Sequence, residues 1–439
     1  MSPMTIGFLG IAGFLILMML RMPIGVSMGL AGLIGFSFVN SPEAALKVLS
    51  SDIFNNFASY NLSIIVTFSL MGFLAYHAGI GSQLYAFAYK AVGHLPGGLA
   101  MASQVACAIF GAVCGSSTAT TATIGSIAVP EMRKYKYNDS LSTASVAAGG
   151  AIGILIPPSV IFVIYGIATE QSIARLLISG IVPGILLTIA YMITVYILSK
   201  RNPELAPPRP GSRPSIGELL STLKGGLVEV IIIFIISLGG MFLGYFTPTE
   251  AGGVGAAGVL LVTLLTGKMN WKAFNNSLRD TTRSAAMILF LVAGAVVFSR
   301  FLALSRMPFE LAAWVSSLDM PNFFVMMVIL LVYLIGGCLV EMIPLILLTI
   351  PIFFPIVVNV LGYDPIWFGV IIVMVTCIGV ITPPVGINAY VIKGVAKDVP
   401  LETVFRGVWP FVIAATILTV ILIAFPSIST FLPNLLMGK

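Results

Sequence analysis

Charge is what this chain has least of. Of its 439 residues, 9% are Asp, Glu, Lys or Arg, whereas an ordinary soluble domain carries roughly a quarter. A water-soluble globule is excluded. Histidine is scarcer still, with His77 and His94 alone, and the four cysteines, Cys107, Cys114, Cys338 and Cys377, sit in apolar surroundings without C-x-x-C spacing. Zinc or haem ligation and a disulfide framework therefore lack their residues. Twenty-two basic against sixteen acidic residues give a net charge of +6, but so apolar a chain offers no polyphosphate-binding face, and nucleic acid is not a partner. A basic n-region is missing too, since Arg21 follows the apolar run 1–20. A cleaved signal peptide is not expected.

What is abundant is apolar sequence, at 58%. Spans of about 20 apolar residues cross a bilayer, so the expected class is an all-α polytopic membrane protein. Apolar runs fall at 4–20, 24–39, 61–79, 98–130, 141–168 and 173–199, then at 225–245, 249–266, 284–304, 323–357, 365–392 and 408–430. The stretch 199–224, with its prolines and five basic residues, reads as a linker between halves 1–198 and 225–439. Ser41-Pro42-Glu43 has the makings of a capped interfacial helix, and Thr247-Pro248-Thr249-Glu250 those of a capping box at the start of a span.

The halves repeat at a shift of about 226 residues, which carries Gly29, Ala31 and Gly32 onto Gly255, Ala257 and Gly258, and Tyr137 onto Tyr363. The same shift carries Ile152, Gly153, Pro157 and Pro158 onto Ile378, Gly379, Pro383 and Pro384. Segments 98–130 and 323–357 each break in the middle, at Cys114-Gly115-Ser116-Ser117-Thr118 and at Gly336-Gly337-Cys338-Leu339-Val340-Glu341. Arms of about 15 residues span roughly 23 Å, short of a full crossing, so both read as re-entrant hairpins. Five crossings per half then make the repeats inverted. With the linker in the cytoplasm, that side gathers the linker's basic residues with Arg21, Lys90, Arg133, Lys134, Lys136, Lys268, Lys272, Arg279, Arg283, Lys393, Lys397 and Arg406, as the positive-inside rule requires. Full transmembrane pairs in place of hairpins would keep the same sides, so the bias supports orientation more than re-entrancy.

Tandem prolines at 157–158 and 383–384 remove amide donors and force their helices open. Backbone opened at membrane depth has to line a cavity or hold an ion, and matched broken helices in two halves mark a transporter's midplane site. Kinks that only shape packing are the alternative. The hydroxyl run 116–123 at the first tip suits Na⁺ or, through helix-end amides, an anionic group, although Ser and Thr also serve close packing. Glu341 is the clearest core charge, either a cation ligand or a solvated tip; Arg300 reads as an interfacial side chain or a steering group for an anion. His77 reads as a polar interface residue, and Gly25, Gly29 and Gly32 as scaffold packing.

The hydroxyl-rich tip, Gly-Ile-Leu-Ile-Pro-Pro-Ser at 153–159, Phe-Thr-Pro-Thr-Glu-Ala at 246–251 and Gly-Val-Ile-Thr-Pro-Pro-Val-Gly-Ile-Asn at 379–388 resemble the large membrane subunit of tripartite ATP-independent periplasmic (TRAP) transporters. The resemblance covers essentially the whole chain. It implies a multi-pass protein of the bacterial inner membrane that works as an elevator, importing an organic anion with Na⁺ as the coupling ion and no other cofactor. It also implies two partners: a soluble periplasmic binding protein and a small four-helix membrane subunit. By motif, one Na⁺ site uses Cys114, Gly115, Ser116 and Ser117 with Gly153, Ile156 and Pro158; the second uses Gly337 with Gly379, Thr382 and Val385. Ser116, Thr118 and Asn388 are the candidates for the substrate cavity, with Arg300 added as the steering cation. The chain departs from the family at Ile64-Ile65-Val66-Thr67-Phe68, where a proline is frequent, and at Cys338, where methionine is common. Competing readings are an inverted-repeat carrier that needs no binding protein, an intramembrane serine protease pairing Ser116 or Ser117 with His77, and a passive channel.

Overall fold

Glycines, prolines and hydroxyl caps decide where the helices stop. In the computed structural model, which describes residues 2–207, 217, 227–318 and 320–438, the first half runs α1 (Pro3–Met19), α2 (Ile24–Val39), α3 (Pro42–Phe57), α4 (Ser63–His77) and α5 (Ile80–Val92). A hairpin of α6 (Gly98–Cys114) and α7 (Ser117–Lys134) follows, then a broken helix, α8 (Asp139–Ile152) and α9 (Val160–Thr169), and the long α10 (Ile173–Arg201). The second half runs α11 (Leu227–Phe242), α12 (Pro248–Leu265), α13 (Trp271–Leu304) and α14 (Met307–Ser317). Its hairpin is α15 (Asn322–Leu339) and α16 (Met342–Phe354), the latter prolonged by a π turn, Pro355–Val360; its broken helix is α17 (Pro365–Gly379) and α18 (Ile387–Val395), followed by α19 (Leu401–Ala424) and α20 (Ser427–Met437). Among the described residues, seven helical stretches are long and apolar enough to cross a membrane.

The shift of about 226 read from the sequence relates these elements one by one, α2 to α12, the first hairpin to the second, α8 and α9 to α17 and α18, and α10 to α19. At the junction of the two broken helices the Cys377 thiol donates to the Ala151 carbonyl, 3.3 Å away. Positions 151 and 377 are one repeat shift apart, so equivalent positions of the two broken helices meet here. The halves also interlock: α2 packs on α13 and α4 on α12 and α13, while α8 packs on α18 and α19. Two layers result. One is a frame of α1 to α4 with α12 and α13, the other a core of hairpins and broken helices.

The cap signals read from sequence are formed. The Ser41 hydroxyl accepts from the Ala44 amide at 3.2 Å, and Thr247 and Glu250 make both bonds of a capping box, at 3.3 and 2.8 Å. The span expected at 284–304 begins earlier, at Trp271, under an Asn270 cap that accepts from the Ala273 amide. The polar residues before 284 belong to an amphipathic first half of α13; Ser277 and Thr281 are buried, and the Ser277 hydroxyl donates to Phe73 of α4. In the first half the equivalent stretch is split into α3 and α4 by the turn Tyr60–Leu62. The stretch 199–224 falls mainly on residues outside those described; Ser199–Arg201 form the end of α10.

Hairpin arms are longer than the sequence suggested, at 17 and 18 residues in the first hairpin and 18 in α15. Arm length alone would allow a crossing. Depth is decided instead by what each tip touches. A Cβ built on Gly115 at the first tip would lie 2.5 Å from the Pro158 carbonyl, and the Val385 amide donates to Cys338 at the second tip over 3.3 Å. Each tip therefore sits at the break of its own half's broken helix.

Candidate functional site

The first tip is two caps back to back. Gly115, at φ +61, ends α6 with its amide on Gly111, and Ser116 begins α7 by accepting from the Ala119 amide. Left-handed backbone at this point suits glycine, which has no Cβ to clash. Ser159 opens α9 in the same way by accepting from Phe162, whereas Gly386, at φ +57, opens α18 and Glu341 opens α16 without a side-chain cap bond. Both Pro-Pro bonds, 157–158 and 383–384, are cis. The breaks and tips are thus short loops that bring helix ends together.

They meet around one cavity of about 330 Å³. Cys114, Gly115, Ser116, Ser117 and Thr118 of the first tip line it, with Ile154, Val160 and Ile161 of the first broken helix, Glu341 and Met342 of the second tip, and Val380, Ile387 and Asn388 of the second broken helix. The N-termini of α7, α9, α16 and α18 therefore all reach the cavity wall. Helix N-termini present free amides and a partial positive charge. No Lys, Arg or His lines the cavity among the described residues, and Glu341 is its one acid.

Asn388 binds the two halves of the site. Fully buried on α18, it accepts from the Ser117 hydroxyl at 2.9 Å and donates through Nδ2 to the Ala147 carbonyl of α8 at 2.9 Å. Its side chain is engaged at both ends, so it holds the tip while also forming part of the wall. Ser116 Oγ lies 3.3 Å from Thr118 Oγ1, and the Cys114 sulfur lies 3.2 Å from Thr120 Oγ1.

Behind the wall stand the other residues singled out from sequence. Gly153 packs on Gly111 of α6, and Gly379 on Gly337 of α15, through backbone against backbone. Since 111 and 337 are again one repeat shift apart, the two hairpins use the same glycine seat on their broken helices. Thr382 donates its hydroxyl to Ile378 at 2.6 Å, and Ile156 reaches across to Gly184 of α10. Arg300 is elsewhere: its guanidinium Nε donates to Asp52 of α3 at 3.2 Å, its side chain is 65% exposed, and it does not line the cavity. His77 pairs with Asp280 at 2.8 Å. Ser117 is bonded to Asn388 and Ser116 to its own helix, so no serine–histidine nucleophile pair is assembled.

The frame supplies a wall that sequence reading missed. Ser69, Phe73 and Tyr76 of α4 and Ser284, Met287 and Ile288 of α13 face the tips across the cavity. Gly72 is the one local sign of this approach, because a Cβ there would lie 2.7 Å from Cys114 Cα.

Comparison with known proteins gives a consistent answer. The profile of the "Tripartite ATP-independent periplasmic transporter, DctM component" family matches residues 11–428. The chain is 37% identical to the C4-dicarboxylate TRAP transporter large permease protein DctM of Pseudomonas aeruginosa, over 93% of this chain and 94% of that protein. It is 32% identical to the sialic acid TRAP transporter large permease protein SiaM of Vibrio cholerae, over 98% of both. The isethionate TRAP transporter permease protein DctMQ of Oleidesulfovibrio alaskensis is 32% identical over 93% of this chain and 63% of its own length. In fold, the chain superposes on the Alcanivorax borkumensis YdaH transporter with a TM-score of 0.60, at 15% identity, over 87% of this chain and 89% of that one. The chain belongs to the DctM family of TRAP transporter large permeases, a transporter component of the bacterial inner membrane and not an enzyme.

Proposed function

We propose that this subunit imports an organic anion together with Na⁺, by moving the hairpins and broken helices as an elevator against the frame. The observation that carries the reading is the cavity itself: four helix N-termini converge on it, and no basic side chain lines it among the described residues. An anion bound there is held by amides and by the hydroxyls of Ser116 and Thr118, with Asn388 as part of the wall, and its charge is balanced by cations in the adjoining backbone. One Na⁺ site is Cys114 to Ser117 with Gly153, Ile156 and Pro158. The other is Gly337, Gly379, Thr382 and Val385. Both are rich in carbonyl and hydroxyl oxygens, the neutral hard donors that Na⁺ prefers. Arg300, engaged by Asp52 outside the cavity, has no direct part in this scheme.

In this reading the halves 1–198 and 225–439 are oppositely oriented repeats on either side of a cytoplasmic linker that begins after α10, within 199–224, and each half contributes one hairpin and one broken helix to the moving part. Relatives are named for C4-dicarboxylates, sialic acid and isethionate, all organic anions, which supports an organic anion as the substrate class here. Two partners complete the machine, a small four-helix membrane subunit and a periplasmic binding protein that selects and delivers the anion. Thermal-shift screening of the cognate binding protein against an organic-acid panel identifies that anion.

Thr382→Ala is the test of the second ion site. With the complete system in proteoliposomes, it should raise the Na⁺ concentration needed for half-maximal uptake while leaving the melting temperature nearly unchanged. An unaltered Na⁺ response would reject the assignment, and uptake by the purified chain alone would favour the carrier that needs no binding protein.

A further inference from the structure

A second cavity, of about 370 Å³, lies away from the transport site, between α5, the first hairpin arm α6 and α11. Ile80, Ile109, Ala112 and Val113 form one side and Phe234 and Leu238 the other, and every described residue lining it is apolar or glycine. Gly239 faces open space, since nothing lies within 4 Å of a Cβ built there. The rim is Ile235, 66% exposed, with Ile232 and Ile236 exposed beside it. In a membrane these side chains face lipid, so the cavity is continuous with the hydrocarbon.

What fills it follows from its chemistry. A buried water needs about two to four polar partners, and the described residues lining this cavity offer none. Left empty, its walls would forfeit their dispersion contacts on one side. We propose that a phospholipid acyl chain enters past Ile235 and lies between α6 and α11. Val113 immediately precedes Cys114 of the first tip, so the chain backs the arm that carries the transport site and keeps it from packing directly on α11. This inference is independent of the Na⁺-coupling proposal.

The experiment uses the purified chain in nanodiscs of phosphatidylethanolamine and phosphatidylglycerol bearing a diazirine in the middle of one acyl chain. Irradiation and peptide mass mapping should find lipid adducts on α6 at Ile109 to Val113 as well as on α11. Val113 is 4% exposed, so the bulk bilayer does not reach it except through the cavity. Gly239→Leu and Ala112→Phe, which fill the void from opposite walls, should abolish the α6 adducts. Both should keep those on the outer face of α10 at Ile185, Ile189 and Ile193, which are lipid-facing by exposure. Absence of adducts on α6 in the wild-type protein overturns the proposal, whatever the variants do. So do α6 adducts that persist in both filled variants.

Discussion

Alanine at the four glycines that seat the hairpins should split them unequally. A Cβ on Gly111 would fall inside contact distance of Gly153 Cα; one on Gly153 would lie 2.9 Å from Gly111 Cα and from the Thr120 hydroxyl; and one on Gly379 would lie 2.6 Å from the Gly337 carbonyl carbon. These neighbours are mostly backbone, which cannot swing aside, so overpacking of about 1–3 kcal/mol applies to each. Alanine's better helix propensity, about 1 kcal/mol, offsets part of that at Gly111 and Gly379, which lie in helices, but not at Gly153, which follows the end of α8. Gly337 is different. Its Cβ would meet Gly379 Cα at 3.5 Å, an ordinary contact, so only the propensity gain remains and Gly337→Ala should be neutral or up to about 1 kcal/mol more stable. Thermal unfolding of the four single variants in one detergent measures the pattern. Equal melting temperatures for Gly111→Ala and Gly337→Ala would refute the claim that close backbone seating at these glycines holds the hairpins.

Other consequences are open to the same kind of measurement. Asn388→Ala leaves the buried Ser117 hydroxyl without its acceptor, at about 1–3 kcal/mol, and removes the side-chain bond to the helical Ala147 carbonyl; a double-mutant cycle with Ser117→Ala should give a coupling of about 0.5–3 kcal/mol, and strict additivity would contradict the bridge. Arg133 joins Asp139 and Asp398 at 2.7 Å each, and its hydrogen bond holds the Asp398 carboxyl below the ordinary aspartate value of 3.8. Because the folded-state value is depressed, that stabilisation is present above 3.8 and is lost as the pH falls through the lower folded value. The melting-temperature gap between wild type and Arg133→Gln should therefore narrow in acid, and a gap that stays constant well below that pH would count against the link. Thr247→Ala, which removes one side of the capping box, should cost about 1 kcal/mol, with Thr247→Ser close to wild type; equal losses in both would point to packing of the methyl group.

Local chemistry explains which parts of the fold were legible in the sequence. Proline pairs, the Gly115-Ser116 tip and the Thr247 cap act on the backbone within a few residues of themselves, so the breaks, tips and helix starts could be read directly. The repeat made one half a check on the other. Long-range consequences were hidden. Polar residues at 271–283 read as a break because nothing local shows that Ser277 and Thr281 turn inward against α4. The short α5 and α14 carry too little apolar sequence to stand out as spans. In the site, motif residues of the tips and breaks were legible, and Cys114 to Thr118 with Asn388 do line one cavity. Ser69, Tyr76 and Ser284 were not, since their place depends on how α4 and α13 of the frame approach the tips. Arg300 was read for its charge near the outer interface; its partner Asp52 is 248 residues away in the chain.

The central claim is that a cavity without a basic side chain holds its anion with Na⁺ beside it. Its most direct test is uptake of a radiolabelled organic acid, chosen by the binding-protein screen, into proteoliposomes containing this chain, the small subunit and the loaded binding protein. Uptake that requires an inward Na⁺ gradient and vanishes when K⁺ replaces Na⁺ is the predicted result. Equal uptake in K⁺ would contradict the account.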